Sequence, residues 1–225
     1  MAAWDELKAV LLRLRDEQPR DEQPDVLMQY PMPEVDEGRV PPFAITLAPW
    51  AAATAEELHQ QFGDDVELTV GALPYPPGRQ SPSQPATAPL SGLLDPQEIT
   101  AELDGPAVVR SGYTLRHGLL VGNLTRQELT IATNGQVTAV VVDPRTGQAV
   151  GGFAGFQTLA GVFFRVAART TERIPLLIGT ASFTPELGYI LRSGSWGIQV
   201  PLDLAPDILT RHRRLTPVLP LTITA

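Results

Sequence analysis

Beyond Leu103 the chain is a succession of short apolar runs, each cut off by glycine, proline or asparagine before it could fill out a helix: PAVVRS, HGLLVGN, ELTIAT, QVTAVVVD, QAVGGF, GVFFRVA, RIPLLIG, LGYIL, WGIQVPLDL and TPVLPLTIT. Runs of about 4–8 residues bounded by turn formers bury as strands, whereas a helix needs roughly 10–12 residues of helical periodicity. With no long helix between them, such strands have only one another to pack against. The expectation is an antiparallel sandwich or barrel. Two of its turns are close to explicit. Asn134-Gly135 fits a two-residue hairpin, and Asp143-Pro144-Arg145-Thr146-Gly147 fits a type I turn with glycine in the left-handed position.

The stretch GYILRSGSWGIQV, residues 188–200, sets Ser195 between glycines. A nucleophile elbow has the form G-x-S-x-G because side chains two residues either side of the serine would collide in so sharp a turn. Here residue 193 is serine, and only Gly197 complies. The elbow must also lead from a strand into a helix, yet Trp196, Ile198, Val200, Leu202 and Leu204 alternate as a strand does. Ser195 is therefore read as a turn residue of a hairpin near Ser193 to Ser195, with Gly194 supplying the turn. This hairpin, Tyr189 to Val200, resembles the apolar-x-x-G-x-[W/Y]-x-[V/I] hairpin near the end of immunoglobulin-like bacterial sandwiches. By strand count and turn spacing the resemblance covers residues ~104–225. It implies a cysteine-free relative, since the disulfide-bonded pair of antibody domains is absent, and it implies adhesive, inhibitory or assembly roles, although fold alone does not decide function.

The N-terminal third has a different character. Trp4, Leu7, Val10, Leu11 and Leu14 fall on one face of a helix. A duplicated RDEQP, Arg15 to Pro24, follows as a proline-interrupted tether. FAITLAPW reads as a strand, Thr54 and Glu57 form a T-x-x-E capping box for a helix ending at Phe62 before Gly63, and DVELTVGAL alternates Val66, Leu68 and Val70 against Asp65, Glu67 and Thr69. Residues 74–89 are rich in proline and polar residues and read as a linker. Within it, Pro74 to Arg79 matches P-x-x-P-x-R, a match that any proline-rich linker produces by chance.

Composition narrows the chemistry. There are no cysteines, which removes disulfides, thiolate metal sites and cysteine nucleophiles. His59, His117 and His212 stand singly, never at i, i+4 spacing, so histidine metal chemistry finds no motif, while an all-carboxylate site stays open. The net charge is −8, and residues 1–78 alone hold 15 acidic and 5 basic side chains. Such a field opposes nucleic-acid binding, and the one basic cluster, Arg211 to Arg214, lacks interleaved aromatics and reads as a solvated loop. No apolar run reaches the ~20 residues of a membrane span, and the N-terminus lacks the pattern of a secretory signal, so a cytoplasmic location is expected.

Other candidates read as structure. Asp64, Asp65 and Glu67 read as a solvated face, with Asp65 and Glu67 on the solvent side of a strand opposite Val66 and Leu68, while His117 reads as a strand-edge or turn histidine, Asn123-Leu124-Thr125 as turn chemistry, and GGFAGF (Gly151 to Phe156) as no phosphate loop. The fold expected is mainly β, α+β overall: an immunoglobulin-like antiparallel β-sandwich (103–225) after an amphipathic helical arm and acidic tether (1–24), a small α/β element (25–73) and a proline-rich linker (74–102). The function expected is a non-enzymatic cytoplasmic protein-binding or assembly module, with a protein partner or self-association through the N-terminal helix, no nucleic acid and no membrane span. No catalytic, cofactor-binding or metal residue is assigned, and no cofactor. Two alternatives stay open: an intracellular proteinase inhibitor on a β-sandwich, and an enzyme whose site is assembled from distant residues, with His117, Asp143 and Tyr113 as placeholders.

Overall fold

In the computed structural model the described residues are 2–17, 26–31, 43–77, 92–155, 161–205 and 212–225. Most of the RDEQP duplicate, the centre of the proline-rich span with Arg79, Phe156 and Arg211 lie outside them. The chain opens with α1 (Ala2–Glu17), β1 (Val26–Pro31), β2 (Phe43–Leu47), α2 (Ala52–Phe62), β3 (Val66–Val70) and β4 (Leu73–Tyr75). These strands form one sheet in the order β1-β2-β3-β4, with β2 and β3 parallel because α2 carries the chain back between them. The stripe on α1 docks on this element of its own chain: Leu7 and Leu11 are buried with Ile45, Leu47, Leu58 and Leu68, and Val10 and Leu14 pack at the margin. The side chain of Trp4 lies outside the described set.

The capping box is a correction. α2 starts at Ala52 with Ala51 as its N-cap, and Thr54 lies inside the first turn, buried with Ala55 and Leu58. Burial of that face decides the start in place of a local side-chain cap. Gly63 does end the helix, with φ 55° and its N–H donating to the His59 carbonyl.

The remaining strands are β5 (Ile99–Leu103), β6 (Val108–Arg110), β7 (Thr114–Asn123), β8 (Leu129–Asn134), β9 (Val137–Thr138), β10 (Val140–Val142) and β11 (Ala149–Gly152). They continue with β12 (Gly161–Val166), β13 (Thr171–Gly179), β14 (Ala181–Ser182), β15 (Gly194–Gln199), β16 (Pro201–Leu204), β17 (His212–Leu215) and β18 (Leu219–Thr224). Their sheets run β14-β11-β10-β15-β18-β6, β12-β8-β16-β17 and β5-β7-β13-β9. Pairing is antiparallel except where β9 joins β13 and β6 joins β18. All three contribute to one core around Leu119, Ile131, Ile174, Ile178, Ile198 and Leu202. The mainly β sandwich architecture is therefore as expected, with strands from Gln127 to Val142 and no helix there. Pro74 and Tyr75 pair within β4, and β5 begins at Ile99, so both ends of the 74–102 span hold strand. Pro74 accordingly opens the P-x-x-P-x-R match inside a sheet.

Several runs read as single strands change sheets midway. QVTAVVVD divides at Ala139 between β9 and β10, and WGIQVPLDL divides at Val200 between β15 and β16. Two expected hairpins are corrected for the same reason. Gly135 turns the chain (φ 79°), but β8 pairs with β12 and β16 while β9 joins β13 in another sheet. Near Ser193 there is no hairpin: β15 pairs with β10 and β18, and LGYIL contributes only a bridge from Ile190 to Ala181. The Asp143–Gly147 turn does join antiparallel β10 and β11, closed by the Gly147 N–H on the Asp143 carbonyl at 2.8 Å. The basic cluster is also corrected, since residues 212–215 are edge strand β17, not loop.

At Val200 the crossing is latched by Thr216, which is fully buried. The Val200 N–H donates to Thr216 Oγ1 at 3.0 Å, and the Thr216 N–H returns to the Val200 carbonyl at 3.1 Å. An aromatic seam joins the α/β element to the sandwich: Trp50 stacks on Tyr113 with centroids 5.2 Å apart, and Tyr75 stacks on Tyr189 at 6.3 Å. The Tyr75 hydroxyl donates to Glu56. The Tyr189 hydroxyl is buried and finds no partner among the described residues, and desolvation raises its pKa above the ordinary tyrosine value.

No described helix is long and apolar enough to cross a membrane. Two measurements check these contacts. In urea unfolding, Thr216→Val is expected to lower stability by about 1–3 kcal/mol, because it keeps the shape but orphans the Val200 N–H, while Thr216→Ser retains most of it. Tyr189→Phe is expected to leave stability equal or raised. With its folded pKa above the unfolded one, ionisation of Tyr189 takes nothing from stability below the unfolded pKa and lowers it as pH rises from there through the folded pKa. The phenylalanine variant should flatten that alkaline loss in a melting series.

Candidate binding cleft and exposed edge strand

Ser195 lies in the middle of sheet pairing, opposite Thr222, and the chain runs on as strand to Gln199. Nothing of an elbow is present. The same segment nevertheless lines an open cleft of about 560 Å³, together with Asp143, Pro144, Arg145, Arg192, Ser193, Gly194 and Trp196. Sheet register explains the meeting: Val142 of β10 pairs with Gly197 of β15, so the turn that follows Val142 comes alongside the segment that precedes Gly197. Two stretches far apart in sequence thus form opposite walls.

Each wall is held locally. Asp143 Oδ1 accepts the Arg145 N–H at 2.8 Å inside the turn. The Arg145 guanidinium is 83% exposed and only loosely paired with Asp143, at 3.7 Å. Trp196 packs against the sandwich core and donates its indole N–H to the Arg192 carbonyl at 3.0 Å. Gly194, with φ 151°, has no side chain to fill the space beside that ring. Ser193, Ser195 and Arg192 are exposed.

The placeholder residues are not gathered into a site. His117 lies within β7, with Nε2 3.2 Å from the Gly105 carbonyl. Tyr113 is committed to the seam under the Arg110 guanidinium, whose carbon lies 5.0 Å from the ring centre, and Asp143 to its own turn. Asp64 and Asp65 are exposed in a short 3-10 turn, not a strand, and Glu67 is half-buried. Among the described residues no cluster of three histidine, aspartate or glutamate side chains could hold a metal ion. Asn123 is a structural residue: fully buried, it donates to the Gln127 and Val166 carbonyls at 2.7 and 3.0 Å and accepts from Thr125. Gly151 and Gly152 belong to β11 and pair with Ser182 and Ala181 of β14. In β17, Arg213 forms a bidentate pair with Asp203 at 2.7 and 3.0 Å, and that hydrogen bond raises the guanidinium pKa further. The pair lines a smaller cavity of about 120 Å³ with Thr133, Gln136 and Pro201.

A second surface is the outer side of β12. Among the described residues it is the terminal strand of its sheet and pairs only with β8. Val162, Phe164 and Val166 face inward, whereas Phe163, 46% exposed, and Arg165 face out. The sequence offered Arg192 and Phe163 no motif, and it read Arg145 as part of a turn and Trp196 as part of a hairpin, not as a site. Their placement on these surfaces follows from which strands are neighbours and which strand ends its sheet among the described residues.

No family model matches the chain, and no curated protein matches it. Among solved structures it is similar to the CARDB domain of a Pyrococcus furiosus protein in complex with di-metal ions, at 12% identity and TM-score 0.29, covering 56% of this chain and 92% of that one. It is also similar to the CooA pilin subunit of enterotoxigenic Escherichia coli, at 8% identity and TM-score 0.27, covering 57% of this chain and 99% of that one.

Proposed function

We propose that the chain is a non-enzymatic, cytoplasmic protein-binding or assembly module built on an immunoglobulin-like sandwich, and that it takes an extended segment of its partner along β12. The observation that carries this reading is the open edge of Gly161–Val166, with Phe163 outward and 46% exposed. A terminal strand presents a row of backbone donors and acceptors, and an added strand satisfies them while alternate side chains set specificity. Burying the exposed part of Phe163 contributes roughly 1 kcal/mol, and Arg165 favours an acidic or polar residue beside it.

Self-association is a narrower part of the proposal. On α1, Leu12 stays 49% exposed beside the docked stripe, and a second copy would cover it. Capture from native extract followed by mass spectrometry tests the main reading: a partner retained by wild type is expected to be lost from Phe163→Glu, whose melting temperature should be unchanged. Undiminished capture by that variant overturns the edge-strand reading, and inhibition of a captured protease would identify the partner class. In light scattering across a concentration series, Leu12→Glu is expected to lower the mass of any assembly. An equal mass for wild type and variant removes α1 from the interface.

A further inference from the structure

We propose that the cleft between the Asp143–Gly147 turn and Arg192–Trp196 binds a small organic oxyanion carried on a flat apolar group. Its volume, about 560 Å³, falls within the range of roughly 300–1,000 Å³ typical of small-molecule pockets. The lining residues include two arginines and one aspartate, in a chain whose net charge is −8. That carboxylate is already engaged: Asp143 accepts from the backbone of its own turn, and its side chain is only 24% exposed. Among the described residues the Arg145 guanidinium has only a 3.7 Å surface pair with Asp143, a weak type of contact, so it can be released to a ligand. Arg192 makes no ion pair with a described residue. Guanidinium forks match the paired oxygens of a carboxylate or phosphate.

The remaining residues supply the apolar half of the site. Trp196 is fixed from two sides, by packing on the core and by its N–H bond to the Arg192 carbonyl, so it is a preorganised platform for a planar group. That same bond anchors the backbone of Arg192 at the rim of the ring. A Cβ at Gly194 would stand 3.7 Å from Trp196 Nε1, in space a ligand can use because the residue is glycine. Ser193 and Ser195 are exposed residues of the same rim.

This proposal is independent of the partner-strand reading, and Phe163→Glu should leave it untouched. The test is calorimetric titration of the full chain with benzoate, phenyl phosphate, inorganic phosphate and benzyl alcohol. Saturable binding of benzoate or phenyl phosphate is expected, with a dissociation constant on the order of 1 mM or tighter. Arg145→Gln and Arg192→Gln are each expected to weaken it about tenfold, the factor corresponding to about 1.4 kcal/mol, and added salt should weaken it as well. Both positions are exposed, so the variants should melt as wild type does. A quench of tryptophan fluorescence on titration, absent from Trp196→Phe, places the aromatic group on that ring. The idea falls if neither aromatic anion binds, if the arginine variants bind as tightly, if inorganic phosphate matches phenyl phosphate, or if benzyl alcohol matches benzoate.

Discussion

Strands that leave one sheet for another bring unladdered backbone donors and acceptors into the middle of the core, and an unpaired buried group there costs about 1–3 kcal/mol. The sandwich depends on satisfying each of them. At Ala139 the N–H donates to the Leu177 carbonyl at 2.9 Å, and at Thr180 the hydroxyl donates to the Tyr113 carbonyl at 3.0 Å while the carbonyl accepts from Leu191. At Val200 the acceptor is a side chain, Thr216 Oγ1. These crossings also bring sheets so close that side chains must be absent. A Cβ on Gly151 would lie 2.3 Å from the Ala181 carbonyl oxygen, and one on Gly179 would lie 2.5 Å from the Phe153 Cα. Close packing then leaves a single core shared by three sheets.

Asn123 performs a similar task where β7 ends. Its amide joins the loop at Gln127 to the end of β12 at Val166, so one buried side chain ties two sheets together. The aromatic seam does the corresponding work between the sandwich and the N-terminal element, with Trp50 on Tyr113 and Tyr75 on Tyr189. The acidic N-terminal third therefore rests on the sandwich through neutral rings, where its charge does not have to be desolvated.

Both candidate surfaces are consequences of this topology. The cleft exists because β10 lies beside β15 and the turn after β10 falls against the segment leading into β15. The open edge exists because, among the described residues, β12 pairs with β8 and with no further strand of its sheet. Neither requires an unusual residue: the side chains presented there, such as Arg192 and Phe163, are ordinary ones.

What the sequence by itself determined was local. Alternation placed Val66, Leu68 and Val70 on a buried face, helical spacing buried Leu7 and Leu11, Gly63 stopped α2, and Asp143 to Gly147 closed a hairpin. Each of these follows from the φ, ψ preferences and side-chain periodicity of a few adjacent residues. Tertiary structure alone decided that Gly135 would send the chain into another sheet, that WGIQVPLDL would bend at Val200, and that Ser195 would sit inside a ladder opposite Thr222. A turn signal states that the chain bends and does not state which strand it will meet next. That choice is made by residues distant in sequence, through shared burial and backbone hydrogen bonds, and the cleft and the open edge are set at the same moment.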